Sequence, residues 1–74
     1  MIYSRQREII LNTLRTNPVH PTADELYEMV KEQDPNISIA TVYRNLNQLA
    51  AAGKVLKISN PHAADRFDGN IVHH

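Results

Sequence analysis

Two amphipathic segments in the middle of the chain are separated only by residues 34–37. In the first segment, apolar residues recur at the spacing i, i+3, i+4 and i+7, as on one face of a helix; they are Ala23, Leu26, Tyr27 and Val30. In the second segment, residues 38–52, the predicted core face consists of Ile39, Val42, Leu46, Leu49 and Ala50. A link this short between two helices is typical of a helix-turn-helix.

Capping residues mark the limits of these helices. Thr22 and Glu25 form a predicted capping box, in which each side chain bonds the backbone N–H of the other. Ser38 is the predicted N-cap of the third helix, and Gly53 suits its C-terminal cap. We predict an earlier helix over residues 4–16, with Ser4 as its N-cap and an end at Asn17-Pro18. Its apolar side is formed by Ile9, Ile10, Leu11 and Leu14.

The composition changes after Gly53 from helical to strand-like. Residues 54–58 are rich in branched side chains, residues 59–62 have turn chemistry, and residues 65–68 could return as a second strand. Three helices followed by a two-stranded β-hairpin wing make a mainly α (α+β) winged helix-turn-helix. A three-helix interaction domain would share the helices but would not need the hairpin.

The length and the residue types exclude several classes of protein. A chain of 74 residues forms one small domain at most, so we predict one winged-helix domain over residues 1–74. The absence of cysteine excludes disulfides and thiolate chemistry. Neither a membrane span nor a signal peptide is visible, and we expect a cytoplasmic protein. We predict that the chain is not an enzyme. It has no obvious mass of chain from which to build a substrate pocket, and no glycine-rich loop whose N–H groups could donate to an oxyanion.

Charge is distributed unevenly although the formal net charge is zero. Residues 20–35 carry a net charge of −4, whereas residues 36–58 carry +3 and residues 1–19 carry +2. Such polarity can steer a polyanion even in a neutral molecule. The alternative is that each helix simply has a solvated charged face.

The third helix has the outward face that reading duplex DNA requires. No acid lies between Ser38 and Lys57, and helical spacing predicts that Arg44, Asn45, Asn47 and Gln48 are exposed. Arginine can grip guanine, and asparagine or glutamine can pair with adenine, in the major groove. Ser38 and Thr41 at the helix start suit phosphate contact.

Tyr43 and the basic residues outside this helix have two interpretations each. Tyr43 either closes the edge of the core or stacks on a thymine methyl group or a sugar. Lys54, Lys57 and Arg66 either follow the DNA backbone from the hairpin or are merely solvated. The predicted DNA-binding set also includes Arg5 and Arg7 at the start of the first helix.

Four ordered motifs resemble the ferric uptake regulator family across nearly the whole chain. The third helix begins with SIATVYRNL at residues 38–46, and the segment before it begins with HPTADELY at residues 20–27. Residues 4–7, SRQR, resemble the family's TPQR with Arg in place of Pro. RFDG at residues 66–69, followed by His73 and His74, resembles the end of its wing and the start of its hinge.

The resemblance implies a homodimeric, metal-responsive bacterial repressor that binds inverted-repeat operators, with Tyr43 and Arg44 as the base-reading pair. It also implies a regulatory metal bound by His20, Asp68 and His74. Two imidazoles and a carboxylate suit Fe²⁺, Mn²⁺ or Zn²⁺. An aspartate at this wing position, Asp68, rather than a glutamate, is similar to the peroxide-sensing branch of the family. An ion held by three separated segments would tie the wing and hinge to the helical core.

Other interpretations of the histidines stay open. His20 could instead bond local backbone at the helix entry, and His73 and His74 could begin a purification tag. His62, in a turn beside Pro61, is predicted to be simply exposed.

The chain also departs from the family pattern. It stops at His74, so we expect a fragment or excised domain that lacks the family's dimerisation domain, with an incomplete, weak metal site. The rival hypotheses are a winged helix used for protein–protein contact and, less favoured, a hydrolytic metal site at His20, Asp68 and His74.

Overall fold

The computed structural model describes residues 2–16 and 20–69. The elements in chain order are helices α1 (Ile2–Thr16), α2 (Ala23–Gln33) and α3 (Ile39–Ala51), then strands β1 (Leu56–Ile58) and β2 (Arg66–Asp68). The two strands pair antiparallel, with Lys57 opposite Phe67. The predicted winged helix-turn-helix, three helices followed by a two-stranded hairpin, is confirmed.

The N-terminal caps of α2 and α3 form as predicted. The Thr22 hydroxyl accepts a hydrogen bond from the Glu25 N–H at 3.2 Å, and the Glu25 carboxylate accepts one from the Thr22 N–H at 2.9 Å. At the start of α3, the Ser38 hydroxyl accepts from the Thr41 N–H at 3.1 Å. Both caps satisfy amides that have no partner inside their helix, and so fix where each helix begins.

Gly53 ends α3 in a Schellman motif. Its φ is 75°, a left-handed conformation in which glycine carries no Cβ penalty. The Gly53 N–H donates to the Ala50 carbonyl at 3.1 Å, and the Lys54 N–H donates to the Leu49 carbonyl at 2.9 Å. These two bonds satisfy carbonyls that the helix end would leave open and turn the chain toward the wing.

The helices and the wing enclose one apolar core. Its buried side chains among the described residues are Ile10, Leu14, Ala23, Leu26, Val30, Ile37, Val42, Leu46, Leu49, Val55 and Phe67. Fully burying a Leu, Ile, Val or Phe side chain stabilises the fold by about 1.5–3 kcal/mol. Because Val55 and Phe67 belong to this core, the wing is anchored to the helices.

The wing is also tied to the chain before α2. The Phe67 N–H donates to the Pro21 carbonyl at 3.0 Å, and Thr22 forms an isolated antiparallel bridge with Arg66. Beyond β2, Gly69 lies against α1 so closely that a Cβ there would be 2.7 Å from the Leu14 Cβ. The end of the wing is therefore held between α1 and the start of α2.

Several sequence predictions about the elements were wrong in detail. Helix α1 begins at Ile2, so Ser4 lies inside the helix and is not its N-cap; no proline or glycine precedes Ser4 to stop the helix. Ile39 was assigned to the core but is 37% exposed, because it occupies the first helical position, before the core face begins. Strand β1 starts at Leu56, since Lys54 completes the Schellman motif and Val55 turns into the core.

Two other core-face residues, Tyr27 and Ala50, are only partly buried against the core. No helix within residues 2–16 and 20–69 has the length and apolar character needed to cross a membrane.

Candidate nucleic-acid interface

One side of α3 faces solvent and carries several of the predicted DNA-binding residues. Arg44, Asn47 and Gln48 are exposed, and Thr41 is partly exposed. At the helix start, the Ser38 and Thr41 hydroxyl oxygens are 2.9 Å apart and share a hydrogen bond. Because the residues between Ser38 and Lys57 include no acid, this side of α3 presents hydrogen-bonding groups without carboxylates of its own.

Asn45 was predicted to be exposed, and that prediction was wrong. Its side chain is 2% exposed; the amide nitrogen donates to the Thr41 carbonyl at 2.9 Å, and the amide oxygen accepts from Arg7 Nε at 3.2 Å. A positional signal was available, because Val42, Asn45 and Leu49 lie at i, i+3 and i+7, the spacing of a buried stripe. The helical count that placed Asn45 on the outer face was therefore wrong for this residue, which lies at the edge of the core face.

Arg7 joins α1 to this side of α3. Besides Asn45, its guanidinium donates through Nη2 to Gln48 Oε1. Arg7, Arg44, Asn45 and Gln48 line an open depression of about 440 Å³. Arg7 had been predicted to bind DNA, but no local pattern links it to residues about forty positions away. Arg5, also predicted, is exposed on α1.

Tyr43 lies at the flank of α3 that faces the start of α2. Its side chain is 45% exposed, so it does not close the core, and its hydroxyl donates to Asp24 Oδ1 at 3.3 Å. The negative charge of Asp24, followed by partial desolvation and the hydrogen bond, raises the pKa of the Tyr43 hydroxyl above its ordinary value. The hydroxyl of Tyr43 is therefore linked to the start of α2, while the residue as a whole stays open to solvent.

The wing carries basic side chains, two of which have acidic partners in the chain. Lys57 Nζ lies 3.3 Å from Asp65 Oδ2. Arg66 Nη1 donates to the His20 carbonyl at 2.7 Å and to Glu25 Oε1 at 3.3 Å, so it braces the wing against the start of α2. A contact of Arg66 with the DNA backbone stays a prediction. Lys54 is exposed.

Glu25 links the α2 cap to the wing. The backbone N–H of Thr22, which donates to this carboxylate, and the nearby charge of Arg66 lower the pKa of Glu25, although desolvation opposes them. The group is at the surface, so solvent weakens the Arg66 pair. The capping bond is the firmer part of this contact.

The structure brings two of the three predicted metal ligands together. His20 Nε2 and Asp68 Oδ2 are 3.5 Å apart. Two ligands at about 2.1 Å from a tetrahedral ion would be about 3.4 Å apart, so this pair fits one shared divalent cation. The third predicted ligand, His74, lies outside the described residues. Within residues 2–16 and 20–69, no three potential ligands form a cluster. His62 is exposed, as predicted.

Comparisons with known proteins by sequence and by structure agree on one protein family. The profile of the Ferric uptake regulator family matches residues 1–74. The peroxide-responsive repressor PerR of Staphylococcus aureus is 41% identical over 69 residues, which are 93% of this chain and 47% of the relative. The chain thus spans about half of that relative's length.

Solved structures show the same fold. The peroxide stress regulator of Campylobacter jejuni aligns with a TM-score of 0.85 and 38% identity, covering 97% of this chain and 53% of that one. The ferric uptake regulator of Helicobacter pylori, described as having three functional metal binding sites, aligns with a TM-score of 0.87 and 27% identity, covering 96% and 49%. In both cases the chain corresponds to a winged-helix half.

Proposed function

The chain belongs to the ferric uptake regulator family, and from this premise we propose that it is the DNA-binding part of a metal-responsive bacterial transcriptional repressor. The observation that carries the proposal is the exposed, carboxylate-free side of α3 with Thr41, Arg44 and Gln48. A helix of this kind fits the major groove, where Arg44 can grip guanine. Asn45 is buried, so its role is to support this surface from within.

Residues around α3 would position the protein on the DNA backbone. Ser38 and Thr41 lie at the N-terminus of α3, where the helix dipole favours a phosphate. The exposed Arg5, Lys54, Lys57 and Asn47 would add contacts at either side. Tyr43, beside Arg44, would offer its ring to a base or sugar.

A regulatory divalent metal, Fe²⁺, Mn²⁺ or Zn²⁺, is part of this proposal. His20 and Asp68 would hold it, and His74 would complete the site. The ion supplies a cross-link that is present only when metal is bound. His20 precedes α2 and Asp68 ends the wing, so their shared ligand would tighten the wing against the helices that present α3. The similarity to peroxide-responsive regulators supports the peroxide-sensing branch.

We propose that the whole protein acts in the cytoplasm as a homodimer on inverted repeats, through a region beyond this chain. This is consistent with the chain's matching only about half of its relatives. A single winged helix enters one groove and buries little area, so the 74-residue chain should bind DNA weakly by itself. Nanomolar binding by a proven monomer would contradict this expectation.

Fluorescence anisotropy of a labelled inverted-repeat duplex at low salt tests the DNA-binding proposal. We expect salt-sensitive binding that Arg44→Ala weakens by about 1–3 kcal/mol. The matched control is Arg15→Ala, which removes an equal charge from the exposed end of α1. Absence of binding, even by a dimerised chain at low salt, would favour the rival protein-contact function. Equal losses of DNA affinity in Arg44→Ala and Arg15→Ala would show that α3 is not the surface that reads DNA.

A further inference from the structure

Arg7 reaches from α1 to two amide side chains of α3. Its Nε donates to Asn45 Oδ1 at 3.2 Å, and its Nη2 donates to Gln48 Oε1. The three residues form what we call the Arg7 bracket. Arg7 itself is exposed, whereas Asn45 is buried, so the bracket runs from the core to the surface.

The chemistry of the guanidinium fixes the orientation of both amides. Arginine has only N–H donors and no acceptor, so an amide that bonds it must present its oxygen. Asn45 therefore turns its nitrogen inward, where it donates to the Thr41 carbonyl at 2.9 Å. Both polar ends of Asn45 are used within the chain. The same contact directs the Gln48 oxygen toward α1, although an amide oxygen that accepts one hydrogen bond keeps a second lone pair.

We propose that the Arg7 bracket biases Gln48 toward donating to DNA, an inference that rests on the proposed DNA-binding function. A free glutamine pairs with adenine by accepting from N6 and donating to N7 at the same time. The Arg7 bracket competes with the accepting half of this pair, because it directs the Gln48 oxygen toward α1. Gln48 therefore favours guanine, whose N7 and O6 both accept, or thymine O4 over adenine, which offers only the N7 acceptor.

The surroundings of Gln48 reinforce this selectivity. Arg44, which shares the depression with Gln48 and Arg7, has N–H donors and no acceptor. Neither α3 nor the described residues that line the depression include a carboxylate that could accept from cytosine N4 or adenine N6. We therefore expect the depression between α1 and α3 to receive the edge of a guanine or a thymine. Arg7 acts as a positioning residue for this specificity.

Selection of binding sites from a randomised duplex pool at low salt tests the effect on base preference. We expect the wild-type chain to prefer acceptor-presenting bases at the position read by Gln48. Arg7→Met should release Gln48 and raise the preference for adenine there on the order of tenfold, and adding Gln48→Ala should abolish that gain. Arg15→Met, a matched change on the same helix, should leave the preference unchanged.

Gln48→Lys is a second variant at an exposed position, so it does not depend on how well Arg7→Met folds. Lysine has donors and no acceptor, so we expect Gln48→Lys to keep the preference for guanine or thymine over adenine at that position. The proposal is overturned if Arg7→Met changes affinity without changing preference, or if the wild-type chain selects adenine in a Gln48-dependent way.

NMR of the free chain tests the bracket without DNA. We expect the Arg7 Nε–H resonance to be protected from exchange and to shift in Asn45→Ala, and the Gln48 side-chain NH₂ to shift in Arg7→Met. Unprotected Arg7 and an unperturbed Gln48 would overturn this inference alone. Absence of any DNA selection by the wild-type chain, with the bracket intact by NMR, would instead overturn the proposed function.

Discussion

Asn45 shows at the scale of a single residue how position outweighs residue type. It occupies a core position of α3, and its polar groups are satisfied by the Thr41 carbonyl and by Arg7. A buried amide without these partners would cost free energy. Sequence spacing predicted the exposure of Arg44, Asn47 and Gln48 correctly, but it could not show that Arg7 would cover Asn45, because that contact depends on how α1 packs on α3.

Asn45→Ala should lower the free energy of unfolding by about 1–3 kcal/mol, because it removes a buried, hydrogen-bonded amide and leaves a gap against Arg7. Urea unfolding followed by circular dichroism measures the change. Arg5→Ala, at an exposed position of α1, is the control and should stay within about 0.5 kcal/mol of the wild type. Equal effects of the two variants would show that the Asn45 contacts do not stabilise the fold.

Glu25 predicts a pH dependence of stability. Its pKa is lowered below the ordinary value of 4.5, chiefly by the Thr22 backbone N–H, so its ionised form is favoured in the folded chain. Its contribution is therefore present above pH 4.5 and is lost as the pH falls through its folded-state pKa. In urea unfolding, the wild type should have a larger free energy of unfolding than Glu25→Gln at neutral pH, and this difference should shrink in acid. A constant difference across this pH range would contradict the assignment.

At the scale of elements, local sequence signals predicted where helices begin and end more reliably than they predicted contacts between distant elements. The Thr22 and Ser38 caps and the Gly53 end of α3 are encoded within a few residues, and the structure confirms them. The predicted start of β1 was wrong because Val55 is buried in the core and does not belong to the strand. The docking of Gly69 on Leu14 also escaped prediction, since no local pattern connects the end of the wing to α1.

Gly53→Ala should destabilise the chain by about 1–2 kcal/mol, the cost of a Cβ in the left-handed conformation. Nothing lies within 4 Å of that Cβ position, so the loss arises from backbone strain and not from a clash. Thermal unfolding is the measurement. Gly53→Asn, which tolerates this conformation better, should recover part of the loss, whereas an Asn variant no more stable than the Ala variant would contradict a conformational cause.

At the scale of the whole molecule, the three helices and the wing leave outside the core the exposed side of α3 that we propose binds DNA. The wing is fixed by Phe67 in the core and by the Arg66 contacts with His20 and Glu25. The winged architecture agrees with what the sequence predicted. His20 and Asp68 lie 3.5 Å apart, and their role as metal ligands stays a prediction. The Arg7 bracket was not predictable, because it joins side chains brought together only by the fold.

Amide NMR spectra of the isotope-labelled chain, titrated at low salt with an inverted-repeat duplex, test most directly whether α3 is the surface that binds DNA. We predict that the largest shifts fall on Ser38, Thr41, Arg44 and Gln48, with smaller shifts on Arg7 and Lys54, and that added salt reverses them. Shifts confined to α2 and the far end of α1, or no shifts at any duplex concentration, would contradict the account.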